Sequence, residues 1–425
     1  MWYQRLTQIF KIKDLRGRIL FVFGIFALAR FMSNIPIPGI DLERLRVFMD
    51  QFQSFKLLGA FTGGSMDNMS VAMLGLGPYI TAIIILQLLT MIFPSLERMY
   101  KEEGEAGRTK FNQYARIASI PLAALQGYAM LVLLTRQHVA SFGSPIILFA
   151  ALATVTAASL FLMWLGELIS EKGIGNGVSL LIFAGIISSF PTSLRQLIFD
   201  WDPTKTISYA LFAVASIFII ASVVMINESR RNIPVSYAKR VRGNKMFGGV
   251  STYLPLNINP AGVIPIIFAL SILLFPSMIA SFLGGYGGFV GQAATAVKGF
   301  FSNQLFYGIS YFVLVVMFTY FYTAVTFDPK NIASNLQKMG GFVPGIRPGT
   351  PTANYMYYIL NRVLLVGAVF RGLIAVSPSI IGAATQVSTF RFMIGGTSLL
   401  IAVSVILETA RQINAQLQMR EYETF

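Results

Sequence analysis

Apolar runs roughly 20 residues long, the length of helix that crosses a hydrocarbon core, recur along this chain between short polar or Gly/Pro-marked breaks. Ten such stretches read as helices: Ile19 to Ile37, Leu74 to Phe93, Ile117 to Leu134, Ile146 to Leu168, Val178 to Phe190, Ile207 to Ile226, Ala261 to Leu283, Phe306 to Phe327, Tyr355 to Val376 and Phe392 to Leu407. The pattern predicts an all-α polytopic membrane protein with ten transmembrane helices. Val178 to Phe190 is short for a span and follows the run Gly173-Ile174-Gly175-Asn176-Gly177, so it reads as a helix inside the bundle, away from lipid.

One segment breaks the pattern. Phe55 to Met73 is moderately apolar but interrupted by Gly59, by Gly63 and Gly64, and by the polar run Ser65-Met66-Asp67-Asn68. Irregular backbone at membrane depth is tolerated only inside protein or beside a water-filled cavity. The segment therefore reads either as a piece re-entering an aqueous funnel or as an ordinary outside loop. Ten spans divide into two halves of five, residues 1–190 and 191–425. An odd number per half makes any duplication an inverted repeat.

Composition agrees with a lipid environment, since 55% of residues are hydrophobic and only 12% charged, about half the charge of an ordinary soluble domain; the mean hydropathy is +0.66. The formal net charge of +15 is compatible with nucleic acid, a ribosome or anionic lipid as a partner. Its distribution sets orientation. With the N-terminus inside, inward segments carry 22 Lys and Arg. Outward segments carry nine, namely Arg44, Arg46, Lys56, Arg136, Arg195, Lys205, Lys298, Arg371 and Arg391, while Arg30 and Arg362 lie within spans. The positive-inside rule places both termini on the cytoplasmic side. A competing reading, a cleaved leader ending at Ala27-Leu28-Ala29, is opposed by hydrophobicity that continues to Ile37.

Several chemistries are excluded. The chain has no Cys and one His, His138, which removes disulfides, thiol nucleophiles and Cys-based zinc sites and leaves no room for a Ser-His-Asp arrangement. His138 reads as a surface residue. No Gly-Lys dipeptide occurs, so there is no Walker A loop. Ion-coupled carriers place acidic residues or His near mid-membrane, whereas Glu167 and Glu408 fall only at span ends. No catalytic, metal or cofactor-binding residue is assigned, and the chain is read as a non-enzyme. An inverted-repeat secondary transporter of a small solute is the alternative.

The loop after the sixth span holds Arg230, Arg231, Lys239, Arg240, Arg242 and Lys245 against the single acid Glu228. Such a cluster can grip RNA phosphate or an acidic protein face, or it can be purely topogenic. From Arg230 to Pro265 the chain reads RRNIPVSYAKRVRGNKMFGGVSTYLPLNINPAGVIP. Here it resembles the SecY family, whose members form the channel of the bacterial protein translocon. The resemblance continues in order through IPIPGID (Ile35 to Asp41), LGPYITAIIILQLL (Leu76 to Leu89), GIGNGVSLLIFAGI (Gly173 to Ile186), FVPGIRPGT (Phe342 to Thr350) and GGTSLLI (Gly395 to Ile401).

The resemblance implies two inverted five-helix halves around a central hourglass pore, with a half-helix plug at about residues 60–70 that includes Phe61, Gly63, Gly64, Met66 and Asn68. It implies an apolar pore ring at Leu76, Ile80, Ile182, Ile186, Ile267 and Ile401. Leu76 and Ile80, like Ile182 and Ile186, are four apart and share one helical face, a spacing that ordinary packing also produces. It implies a side exit between the second and seventh helices, carrying Thr81, Gln87 and Thr90 opposite Ser271 and Phe275. It implies that Arg347 and the basic loop at about 227–257 dock a cytoplasmic partner, with a second inward loop at about 328–354. Implied partners are SecE, SecG, the SecA ATPase, the ribosome, signal peptides, nascent or secretory polypeptides and membrane lipid. The implied location is the inner (plasma) membrane.

Overall fold

The computed structural model describes residues 12–37, 39–40, 69–199, 203–237, 240–242, 245–247, 251–259, 262–283, 288–385 and 396–423. Each of the ten apolar stretches falls on a helix: α1 (Lys13–Met32), α2 (Gly77–Thr90), α4 (Gly104–Arg136), α5 (Pro145–Lys172), α6 (Gly177–Phe199), α7 (Thr206–Glu228), α8 (Ile264–Leu283), α10 (Gln304–Thr326), α12 (Thr350–Thr385) and α13 (Gly396–Glu423). Among the described residues, five helices qualify to cross a membrane by length and hydropathy alone, or six with α2 and α3 (Pro94–Lys101) taken as one bent span. The remaining helices are α9 (Phe289–Ser302) and α11 (Pro329–Lys338).

Sequence signals fix many of the helix starts. Proline occupies the first turn of α2, α3, α5 and α11, where its missing N–H has no helical partner to lose. The Ser144 side chain accepts from the Ile147 N–H at the head of α5, Asn303 caps α10, and the Asp328 carboxylate accepts from Lys330 and Asn331 at the head of α11. Each satisfies an amide the first helical turn leaves open. Between α2 and α3 the chain turns by 110°, and Pro94 opens the new direction.

Helix α6 runs on through Pro191 to Phe199, beyond the apolar stretch that ended at Phe190. The glycine run before it serves a close approach. A Cβ on Gly177 would stand 1.8 Å from the Gly166 carbonyl oxygen, and Gly175 has φ +91°, a conformation glycine adopts without a Cβ penalty. The Ser170 hydroxyl accepts from the Gly177 N–H at 2.8 Å, closing the corner between α5 and α6.

Within the first half α2 packs on α4, α4 on α5, α5 on α6, and α1 on both α5 and α6. The same five packings recur in the second half: α8 on α10, α10 on α12, α12 on α13, and α7 on both α12 and α13. Between the halves α2 meets α8, α4 meets α8, and α6 meets α13.

The loop between α7 and α8, read from sequence as a projecting loop, is largely strand. Strands β1 (Arg230–Tyr237) and β4 (Ser251–Asn257) pair antiparallel, with Arg230 opposite Asn257 and Ser236 opposite Ser251. Two residues of β5 (Gly341–Phe342) extend the sheet on the far edge of β1. At the tip, β2 (Arg240–Arg242) and β3 (Lys245–Phe247) form a short ribbon. Ile233 and Val235 alternate inward onto Leu256, Leu336, Val343 and Met356, and this small apolar core anchors the sheet to α11 and α12.

Arg371 also departs from expectation. The charge count set it in an outward segment, yet it lies within α12 and is only 2% exposed. The apolar stretch Tyr355 to Val376 already contains it, so the charge count alone misplaces it; the helix continues to Thr385. Gly372 beside it lets α12 approach the Phe312 ring of α10.

Candidate functional site

The six aliphatic residues of the expected ring come from four separate stretches of chain, spread from position 76 to position 401. Leu76 immediately precedes α2 and Ile80 sits in its first turn. Ile182 and Ile186 lie on α6, Ile267 on the first turn of α8, and Ile401 on α13. All six join one apolar cluster, in which Leu76, Ile182, Ile267 and Ile401 are buried and Ile80 and Ile186 pack partly buried against them. Ile401 is fully enclosed, at 0% exposure.

Beside this cluster lies a cavity of about 440 Å³ that Leu76 and Ile182 themselves help to line. Its other walls include Phe23 and Phe26 of α1 and Phe183 of α6, with Arg30 near the C-terminal end of α1 and Ser188 midway along α6. Arg30 Nη1 donates to Ser188 Oγ at 3.2 Å. A constriction of branched aliphatic chains next to a roomier chamber holds water poorly at its narrowest point and impedes ions by dewetting.

The expected side-exit residues lie on α2 and α8, two helices that touch. Thr81 Oγ donates to the Gly77 carbonyl at 2.9 Å and accepts weakly, at 3.5 Å, from Gln126 Nε2 of α4. Thr90, also buried, donates to the Gln87 carbonyl at 2.7 Å. Gln87 is buried and its Oε1 has no hydrogen-bond partner. Ser271 is half-buried on α8, and the side chain of Phe275 lies outside the described residues. Among the described residues, no hydrogen bond or ion pair joins α2 to α8.

The expected plug residues Phe61, Gly63, Gly64, Met66 and Asn68 lie outside the described residues. Where description resumes, Met69 and Ser70 are both 0% exposed. The backbone there pairs with the end of the first apolar stretch, Ile37 N–H donating to the Met69 carbonyl at 3.1 Å and Val71 N–H to the Ile35 carbonyl at 2.9 Å.

On the sheet, Arg230 and Arg231 are exposed at the start of β1. In the tip ribbon Arg242 stands opposite Lys245, and Arg240 opposite Phe247; Lys239 lies outside the described residues. Like charges directly opposite destabilise a strand pair unless an anion neutralises them. Arg347 is exposed in the turn after β5, where its carbonyl accepts from the Thr352 hydroxyl at 2.8 Å. His138 is exposed with φ +56°.

Polar ties that sequence reasoning did not single out lie on either side of the cluster. In the first half Arg116 Nε of α4 donates to Glu167 Oε1 of α5 at 2.6 Å, and the Tyr79 hydroxyl of α2 shares that carboxylate. In the second half Asn227 of α7 bonds Ser404 of α13 at 2.8 Å, and Arg411 bonds Glu228 at 2.6 Å. Asn227 directly follows the apolar stretch Ile207 to Ile226 and has no local sequence signature that marks it. Among the described residues no group of three or more His, Asp or Glu side chains could hold a metal ion.

Comparisons with known proteins bear on this arrangement. The family model described as SecY matches residues 70–410. A protein translocase subunit SecY of Streptomyces scabiei is 40% identical, over 99% of this chain and 98% of its own length. One of Mycobacterium bovis is 39% identical over 97% of each. Among solved structures, one described as a protein conducting channel superimposes with a TM-score of 0.64 at 19% identity, covering 93% of this chain and 91% of its own. The Sec61 chain of a canine ribosome-channel complex from the endoplasmic reticulum gives 0.61, also at 19% identity and the same coverage.

Proposed function

The chain belongs to the SecY family, and we infer from that premise how its residues divide the work of a protein-conducting channel. It is a membrane protein that passes unfolded polypeptide and catalyses no reaction of its own. The observation that carries the residue assignment is the gathering of Leu76, Ile80, Ile182, Ile186, Ile267 and Ile401 into one apolar cluster beside a cavity. These six form the ring at the waist. Flexible aliphatic chains close around a passing chain and offer it no fixed charge to stall on, while the same chains exclude ions at rest.

Residues 1–190 and 191–425 act as two inverted halves, a reading supported by the five helix packings that recur between them. The seam between α2 and α8, with Thr81, Gln87, Thr90, Ser271 and Phe275, is the lateral exit. Its contacts are apolar, and lipid tails are as apolar as Leu, so parting the seam in a bilayer sacrifices packing but no hydrophobic burial. A segment in the waist then distributes between pore and lipid by its transfer free energy, favourable for Leu or Ile and about +2.5 to +3.5 kcal/mol for a central charge. Residues 60–70, with Phe61, Gly63, Gly64, Met66 and Asn68, cover the outer chamber as a plug.

The basic face made by Arg230, Arg231, Lys239, Arg240, Arg242 and Lys245, together with Arg347, docks the partner that drives transport. This is the ribosome during synthesis or the SecA ATPase afterwards, with SecE and SecG as companion subunits and signal peptides as the first passengers. The location is the inner membrane with both termini cytoplasmic, as the excess of inward Lys and Arg requires.

The test is a secretory precursor arrested in transit through reconstituted channel, carrying photoreactive groups along its length. Crosslinks to the six aliphatic positions are expected, and uptake should depend on SecA and ATP. A transiting chain that never touches those residues, or movement of a small solute without a motor, overturns the assignment.

A further inference from the structure

One buried amide stands between the basic sheet and the waist. Asn227, in the last turn of α7, is 8% exposed. Its Nδ2 donates to Ser404 Oγ of α13 at 2.8 Å, its Oδ1 accepts from Asn259 Nδ2, and its backbone carbonyl accepts from Arg411 Nη2 at 2.6 Å. Arg411 Nη2 also bonds Glu228 Oε1 at 2.6 Å. A single side chain thus joins the end of α7, the middle of α13 and the link between β4 and α8.

Each of those attachments leads onward. Strand β1 begins at Arg230, directly after α7, and β4 ends at Asn257, directly before Asn259; Arg230 and Asn257 are themselves paired in register. Beyond Asn259 the chain enters α8, whose first turn carries Ile267. Ser404 is three residues along α13 from Ile401 and shares its face. Both roots of the sheet and both second-half members of the ring are therefore referred to one amide. In a buried setting its bonds have no water to exchange with, so they break only when the elements move apart.

We propose that Asn227 is a positioning residue that couples the β1–β4 sheet to the aliphatic ring. At rest it holds Ile401 and Ile267 in the closed waist. When a docked partner displaces the sheet, the strain reaches α13 and the start of α8 through Ser404 and Asn259. The inference rests on the channel reading above and adds a route from docking face to seal.

The test compares Asn227→Ala, Ser404→Ala, the double variant, Asn227→Asp and Ile401→Asn in the full channel complex in proteoliposomes. Resting ion leak, motor-driven precursor uptake and thermal stability in detergent are measured for each. Asn227→Ala and Ser404→Ala are expected to raise resting leak several-fold, and the double variant no further than the leakier single. Asn227→Asp is expected to stay tight, because a carboxylate accepts from the Asn259 amide and from a rotated Ser404 hydroxyl alike. Ser404→Ala removes one bond and no volume of consequence, which keeps the test open if Asn227→Ala folds poorly. Additive leaks, or unchanged leak in Ser404→Ala and Asn227→Ala while Ile401→Asn leaks, overturn the coupling and leave the ring standing. A tight Ile401→Asn channel overturns the ring and the coupling with it.

Discussion

At the scale of single residues, the proposed waist excludes ions because its side chains have nothing to offer them. Replacing Ile80, Ile182 or Ile401 by Asn sets a hydrogen-bonding group where water is otherwise unwelcome, and resting conductance of reconstituted channel should rise for each. Conductance unchanged from the parent channel in all three variants would show that the seal lies elsewhere. Arg371 presents the opposite case. Its three guanidinium nitrogens are buried in α12 without a hydrogen-bond partner among the described residues, a costly state for a charge in a low-dielectric interior. Arg371→Met keeps much of the volume and removes the charge, so it should stabilise the isolated chain by about 1–4 kcal/mol. A lowered thermal midpoint of the isolated chain would overturn this, and a fall confined to the assembled complex would reveal an acceptor that a companion subunit supplies.

At the scale of elements, the corner between α5 and α6 is set by backbone contact. With the Gly177 Cα facing the Gly166 carbonyl at a distance no Cβ fits, Gly177→Ala must push α6 away from α5, costing about 1–3 kcal/mol as overpacking does. Because α6 carries Ile182 and Ile186, the same substitution should loosen the seal, readable as leak alongside the lowered thermal midpoint. The sheet element makes a separate prediction. Arg242 facing Lys245 and Arg347 in its exposed turn concentrate positive charge that an anionic partner relieves. Arg242→Glu or Arg347→Glu should weaken partner docking and flatten its salt dependence, since charge pairs near the surface are screened within about 8 Å at physiological ionic strength. Unaltered docking of both variants, with normal precursor uptake, would remove the assigned face.

These elements also mark where sequence reading succeeds. The apolar stretches are legible as helices because lipid imposes one demand, apolar length, and each stretch falls on a helix. Strand β1 was open to the same reasoning, since Ile233 and Val235 alternate with exposed Asn232 and Pro234, but the density of Arg and Lys drew attention to charge before periodicity. The bond from Asn227 to Ser404 spans 177 positions and carries no local signature, so only the fold reveals it. Arg371 is misplaced by the charge count alone, because the apolar stretch Tyr355 to Val376 already contains it. The ring residues needed the family resemblance as well, because Ile and Leu four apart describe almost any membrane helix.

At the scale of the whole molecule, two halves with the same internal packing touch along two lines. On one, α6 meets α13, and α7 of the second half is the next α-helix in sequence after α6. On the other, α2 meets α8 with no covalent link and no polar bond between them among the described residues. The second line is the one free to part. The absence of native Cys gives a clean background for engineered disulfides. A disulfide tying α2 to α8 should block release of hydrophobic segments into lipid, and one tying α6 to α13 should leave it intact. Equal effects of the two would dissolve the distinction.

The aliphatic waist has a further consequence for energetics. None of its six members can gain or lose a proton, so the barrier has no acid–base state. Neither an acidified compartment nor a proton gradient has a chemical handle on it, and its resting tightness should stay constant between about pH 5 and 8, the interval in which imidazole would otherwise act as a switch. Whatever opens it must do so by force.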